Sequence, residues 1–192
     1  MTMDDKNKFL YASLADLQSS IRAIDTKVSY LLIILIIPLT TPGKIYNSIE
    51  VVIKSETLEL LSVCLVVLFI VSWILGFWCV LRTIIAIDNP KNHISGELPK
   101  STFYPANLFK HTILGVLFNK KTISSLDYGE YYDSISEDKN EIAKQLSFEQ
   151  MKIMYILSLK CERSKIAYYS VIFWIAIGGV LWFLYFFLKN AN

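Results

Sequence analysis

The sequence predicts an all-α fold: an integral membrane helical bundle of three transmembrane helices, with a small cytosolic helical module and a long helix continuing into the last span. Three observations predict it. Residues 166–188 form a run of 23 residues without a charge, flanked by Lys165 and Lys189. As a helix that run rises roughly 34 Å, enough to cross a hydrocarbon core of about 30 Å. A second uncharged run of 22 residues, 60–81, is closed by Arg82. The 54% hydrophobic composition and mean hydropathy of +0.43 are high for a soluble protein, and the apolar residues are gathered into segments.

From Phe9 to Lys27, Leu10, Leu14, Leu17, Ile21 and Ile24 recur at helical spacing, with Lys8, Asp16, Arg22 and Asp25 off that stripe. This amphipathic helix leads straight into residues 28–39, an apolar stretch of only 12 residues. It crosses the bilayer if Thr40 and Thr41 lie at the far interface and Asp25 and Lys27 dip into the near one, the lysine snorkelling outward. A re-entrant or interfacial segment is the competing reading. Pro38 and Pro42 are expected to bend or end the helix.

Residues 43–59 read as a short polar connection with an amphipathic turn around 49–53. The second span is expected to start near residues 55–58, where Glu56 and Glu59 suit the positive end of a helix dipole. It should continue past Arg82 toward Ile87 and stop at Asp88, Asn89 and Pro90. Residues 88–125 carry three prolines and two glycines and read as mostly loop around an apolar cluster that includes Leu108, Phe109 and Phe118. Ser124 with Asp127, and Ser134 with Glu137, read as capping boxes. From Glu137 no proline or glycine interrupts the chain until Gly178, so a single helix of about 50 residues is expected. Ser147 with Gln150 marks a place where it could break. The resulting division is 1–27 for the amino-terminal helix, 28–87 for two spans, 88–165 for the cytosolic module and 166–192 for the last span and tail.

Arg82, Lys91 and Lys100 follow the second span and Lys152, Lys160, Arg163 and Lys165 precede the third, against Lys44 and Lys54 in the first connection. Positive residues favour the cytoplasmic side, which puts the amino terminus and residues 88–165 in the cytosol of a bacterial cell and the multi-pass chain in its inner membrane. The amino terminus, with Asp4, Asp5, Asp16 and Asp25 among its cations, lacks the layout of a cleaved signal.

Catalytic constellations are not found. No phosphate-binding loop, H-E-x-x-H or G-x-S-x-G occurs, and His93 and His111 have no partner at metal-ligand spacing. No enzyme activity, cofactor or metal is therefore expected. Cys64, Cys79 and Cys161 are scattered without C-x-x-C spacing, which argues against a disulfide framework or zinc site. A formal net charge of +2 with cations interleaved among acids argues against nucleic acid as a partner.

Ionisable residues near the membrane are the sharper signal. Asp25 and Lys27 stand beside the first apolar run and serve either as an interfacial anchor or as part of a ligand or gating site. Lys160, Arg163 and Lys165, with tyrosines nearby, could form the mouth of an anion site with Arg22 and Arg82 if the helix ends converge. Ordinary anchoring at the cytosolic membrane face is the plainer reading of the same cations. Adjacent Gly178 and Gly179 would let another helix approach closely in the lipid.

An R-A-I-D-T-K run from Arg22 to Lys27 on an amphipathic helix, two spans, the stretch SSLDYGEYY from Ser124 to Tyr132, then Gln150, Leu157 and Ser158 ahead of Lys165 and a final span together resemble the Pycsar-type transmembrane effector family. The resemblance covers residues 14–184. The short first apolar stretch and the proline-bearing segment 88–105 depart from it. It implies an antiphage defence effector, probably best described as a responder: a partner cyclase makes a cyclic nucleotide on infection, and the membrane protein, as a homo-oligomer among membrane lipid, impairs the inner membrane. Arg22, Asp25 and Lys27 match the family's amino-terminal pattern. A membrane adaptor or scaffold that recruits a cytosolic protein is the alternative function.

Overall fold

A computed structural model describes residues 2–53, 59–85, 90–95, 124, 127–133 and 136–191. Among them the regular structure is helical: α1 Met3–Thr40, α2 Pro42–Ile53, α3 Glu59–Ile84, a 3-10 turn Pro90–His93, α4 Tyr128–Asp133 and α5 Lys139–Ala191. α1, α3 and α5 are long and apolar enough to cross a membrane. The chain is an all-α membrane bundle whose long last helix contains the final span.

Each start has a local cause. Thr2 caps α1, its hydroxyl accepting from the Asp5 amide while its own amide donates to the Asp5 carboxylate. The Thr2 hydroxyl and then its amide hold the Asp5 carboxyl below its usual range. α4 opens with a reciprocal box in which the Glu130 amide donates to Asp127 at 2.8 Å and the Asp127 amide donates to Glu130 at 3.0 Å. The box is therefore Asp127 with Glu130, three residues beyond the Ser124 start read from sequence. Asp138 caps α5 by accepting from the Asn140 amide at 3.0 Å. Ser134, proposed as the second cap, lies outside the described residues, as do residues 54–58, 86–89 and the apolar cluster around Phe109.

Three further expectations are corrected. Residues 43–59 are not simply a polar connection, because α2 occupies 12 residues of that stretch. Pro42 is its first residue, where a missing N–H costs nothing, and Ile45, Ile49, Val52 and Ile53 give it an apolar face. Pro38 does not end α1, which continues to Thr40. At Ser147 α5 is unbroken, and the hydroxyl that could have capped a new helix instead donates to the Ala143 carbonyl one turn back at 2.8 Å.

The chain divides into two compact units. The first comprises Met1–Ser19 and Asn89–Ile156, and the second Ser20–Asp88 and Leu157–Asn192. In the first, Leu10 of α1 packs with Ala143 and Leu146 of α5, and two polar contacts flank that cluster: Asp4 with Lys139 at 2.9 Å and Ser13 with Gln150 at 2.6 Å. These partners are separated by 135 and 137 residues. A nearly constant separation means that the helices run parallel there.

The second unit holds the apolar core. Val28, Leu31 and Leu35 of α1, Val80 of α3, and Ala167, Val171 and Trp174 of α5 form one buried cluster. Val52, Val66, Ile177 and Leu181 form another that seats α2 against α3 and α5. Both α1 and α5 place these residues at alternating steps of three and four, the seam of coiled-coil packing. In lipid the hydrophobic effect no longer drives such contacts, so close packing and hydrogen bonds must hold them. Gly76 supplies closeness, since a Cβ there would lie 3.6–3.7 Å from Ser170, Val171 and Leu35. Trp73 supplies a bond between helices, its indole N–H donating to the Leu35 carbonyl at 2.9 Å. Ser72 and Thr83 satisfy their hydroxyls on carbonyls of their own helix.

Candidate functional site

The polar residues read from sequence gather at one end of the second unit. Asp25 lies on α1 just ahead of Val28, the first residue of the buried core, and its carboxylate pairs with the Lys160 ammonium of α5. The two side chains are unequally exposed, Lys160 at 8% and Asp25 at 41%. The lysine is the desolvated partner. Its charge is tolerable only because the carboxylate stands against it, while Asp25 keeps access to solvent.

Arg163, nearly one turn further along α5, donates from Nη1 to the main-chain carbonyl of Arg82 at 2.8 Å. That carbonyl lies in the last turn of α3, where amides are no longer available from the same helix, so a guanidinium there completes the helix end. The Arg82 guanidinium lies over the Trp78 ring, 5.3 Å from its centroid. Asp25 with Lys160 therefore joins α1 to α5, and Arg163 with Arg82 joins α3 to α5. Lys165 stays on its own helix and pairs with Glu162 at 2.7 Å.

Arg22 and Lys27 are exposed and their side chains form no ion pair among the described residues. Arg22 precedes Asp25 by three residues and so shares its face of α1. The structure thus brings Asp25 to Lys160 and Arg82 to Arg163, leaves Arg22 and Lys27 open to an anion, and sets Lys165 with Glu162. An incoming phosphate could meet Arg22 and compete with Asp25 for Lys160 without any backbone rearrangement.

The first unit carries groups that the sequence did not single out as a site. Glu149 and Lys152 form a largely buried pair at 2.5 Å, and the Lys152 ammonium also lies over the Phe148 ring. His93, read as a solvated loop histidine, stacks on Tyr155 with centroids 4.6 Å apart and planes 14° from parallel. Glu149 and Lys152 are three residues apart on one helix, a spacing that could have drawn notice. The stacking of His93 depends on a contact across 62 residues, and nothing local foretells it.

Residues 9–189 match the family model described as PycTM, Pycsar effector protein domain. The chain belongs to the Pycsar effector family. That assignment covers both units and every residue of the polar cluster, and it places this Pycsar effector among antiphage defence proteins. No curated protein and no solved structure matches it.

Proposed function

We propose that the chain is a cyclic-nucleotide-activated effector that works without enzymatic chemistry, assembling as a homo-oligomer in the inner membrane and impairing it to stop the growth of infected cells. The family match over residues 9–189 is the observation that carries this reading. Three apolar helices give the chain the means to act on a bilayer. The amino terminus and the Asn89–Ile156 segment then face the cytosol, where a cyclase product would reach them, in keeping with the cations that flank the second and third spans.

The polar cluster suggests how a nucleotide would act. A ligand shifts an equilibrium only through its differential affinity for the two arrangements. A phosphate that engages Arg22 and draws Lys160 from Asp25 would favour an arrangement in which the α1 to α5 contact is loosened. Changed packing among protomers would then admit a leak.

The test is membrane potential in cells expressing the full chain, measured against a panel of cyclic mononucleotides and oligonucleotides. One member should depolarise the cells while protein alone does not. Unchanged potential and full growth with every member would remove the reading. Replacing Lys160 and Arg163 together by alanine should weaken the response at least tenfold in nucleotide concentration, about 1.4 kcal/mol, while leaving membrane insertion intact. An unaltered dose response would clear both residues of a ligand role.

A further inference from the structure

Away from the polar cluster, the second unit contains a cavity of about 290 Å³ between α2, α3 and α5. Its walls are mainly apolar, with Ile49 and Val52 from α2, Phe69 from α3, and Leu181 and Trp182 from α5. Polar groups enter from Lys44 and Ser48 on the first half of α2 and from Tyr185 on α5. The Ser48 hydroxyl is already spent on the Lys44 carbonyl at 2.9 Å, so it asks nothing of an occupant. A second cation stands close by, for the Lys189 ammonium lies 5.7 Å from the centroid of the Tyr185 ring.

The cavity has a deep apolar part and a cationic end. Gly178 lines it 11 residues before Lys189, a rise of about 16 Å at 1.5 Å per residue. That is close to one leaflet of hydrocarbon, half of about 30 Å. Lys189 closes the apolar run of α5 and Lys44 follows the apolar run of α1, so both ammonium groups fall where a span ends and headgroups begin. Trp182, at 67% exposure, leaves the cavity open toward its surroundings.

We propose that this cavity is a binding site for an anionic phospholipid, with one acyl chain lying along α2 and α5 and the phosphate held by Lys44 and Lys189. An acyl chain fits the apolar walls and the depth, and the two ammonium groups select the charge. The proposal rests on the three apolar helices and makes no use of nucleotide binding. Either reading can therefore fail alone.

The test uses the full-length protein purified in detergent, incubated with phosphatidylglycerol or phosphatidylcholine of matched acyl chains, and examined by native mass spectrometry. The unsubstituted protein should retain phosphatidylglycerol in preference to phosphatidylcholine. Each ammonium near a membrane surface is worth about fivefold, so Lys44→Gln with Lys189→Gln should reduce that preference by roughly twentyfold or abolish it. Both residues are exposed, and circular dichroism should show unchanged helix content. Ser48→Leu should fill the cavity and lower retention of both lipids. An undiminished preference in the double glutamine variant overturns the headgroup assignment. Undiminished retention in Ser48→Leu overturns the acyl-chain assignment, as does a shift from monomer to dimer on lipid removal that the same substitution blocks.

Discussion

Asp25 and Lys160 form an ion pair whose two halves are not equivalent, and that inequality can be measured. Asp25→Ala leaves an ammonium at 8% exposure without its counter-ion and should cost about 3 kcal/mol. Lys160→Met leaves a carboxylate that still reaches water, while the methionine stem keeps the lysine's packing, and should cost about 1 kcal/mol or less. Thermal melting of both variants in the same detergent reads the order directly. A larger loss for Lys160→Met would show that Asp25 is the desolvated member. Two neighbouring glycines offer a second contrast. A Cβ at Gly178 would come within 3.0 Å of Phe69 Cε2, whereas one at Gly179 meets nothing within 4 Å. Gly178→Ala should therefore destabilise by roughly 1–2 kcal/mol, and Gly179→Ala should be neutral or stabilise by up to about 1 kcal/mol, the ordinary gain of alanine over glycine in a helix. Equal melting points for the two would show that the ring of Phe69 yields freely. The sequence named both Asp25 and Lys160, because ionisable groups beside an apolar run stand out. It could not pair them, since 135 residues separate them and no local periodicity reports which helix lies beside which.

α5 is the longest helix, 53 residues in which no proline occurs, and its continuity at Ser147 is open to a direct test. Met151 is exposed, so its side chain can be changed with little effect on packing. Met151→Pro removes the amide that serves the Ser147 carbonyl and should cost about 3 kcal/mol, while Met151→Ala should be nearly silent. Circular dichroism on melting separates the two, and a proline variant as stable as the alanine one would mean that the helix already breaks there. α1, α3 and α5 were legible in the sequence for a plain physical reason. A span must satisfy its backbone internally while presenting apolar side chains to lipid, and no soluble pattern produces uncharged runs of that length. α2 was less legible, because 12 residues with Lys44, Asn47, Ser48 and Glu50 look like a polar connection. Its signal was present in Pro42 at the first position and Ile45, Ile49 and Val52 on one face. The caps were misplaced by a few residues for a related reason: Ser, Asp and Glu cluster before α4, and several overlapping boxes satisfy the same pattern until geometry selects Asp127 with Glu130.

The molecule turns much of its apolar surface outward. Leu60, Ile172 and Phe183 are exposed on α3 and α5, while Ser62, Ser72 and Thr83 are buried, an arrangement that only a lipid surround makes stable. The hydroxyls of Ser72 and Thr83 are satisfied within α3, so burying them costs little. If lipid is the surround, α1 and α5 must enter it in the same sense, since each begins in the first unit and ends in the second. The charge distribution then predicts which sense. With Cys64, Cys79 and Cys161 replaced by serine, Asp16→Cys on α1 and Asn190→Cys near the end of α5 place one exposed thiol at each end. A membrane-impermeant maleimide applied to intact cells with a permeabilised outer envelope should label Asn190→Cys and spare Asp16→Cys until the inner membrane is broken. The opposite result would put the amino terminus outside, beyond the reach of a cyclase product, and the cytosolic ligand reading would fall with it. Labelling of both would mean that the two helices enter in opposite senses, which the parallel contacts of Asp4 with Lys139 and Ser13 with Gln150 oppose.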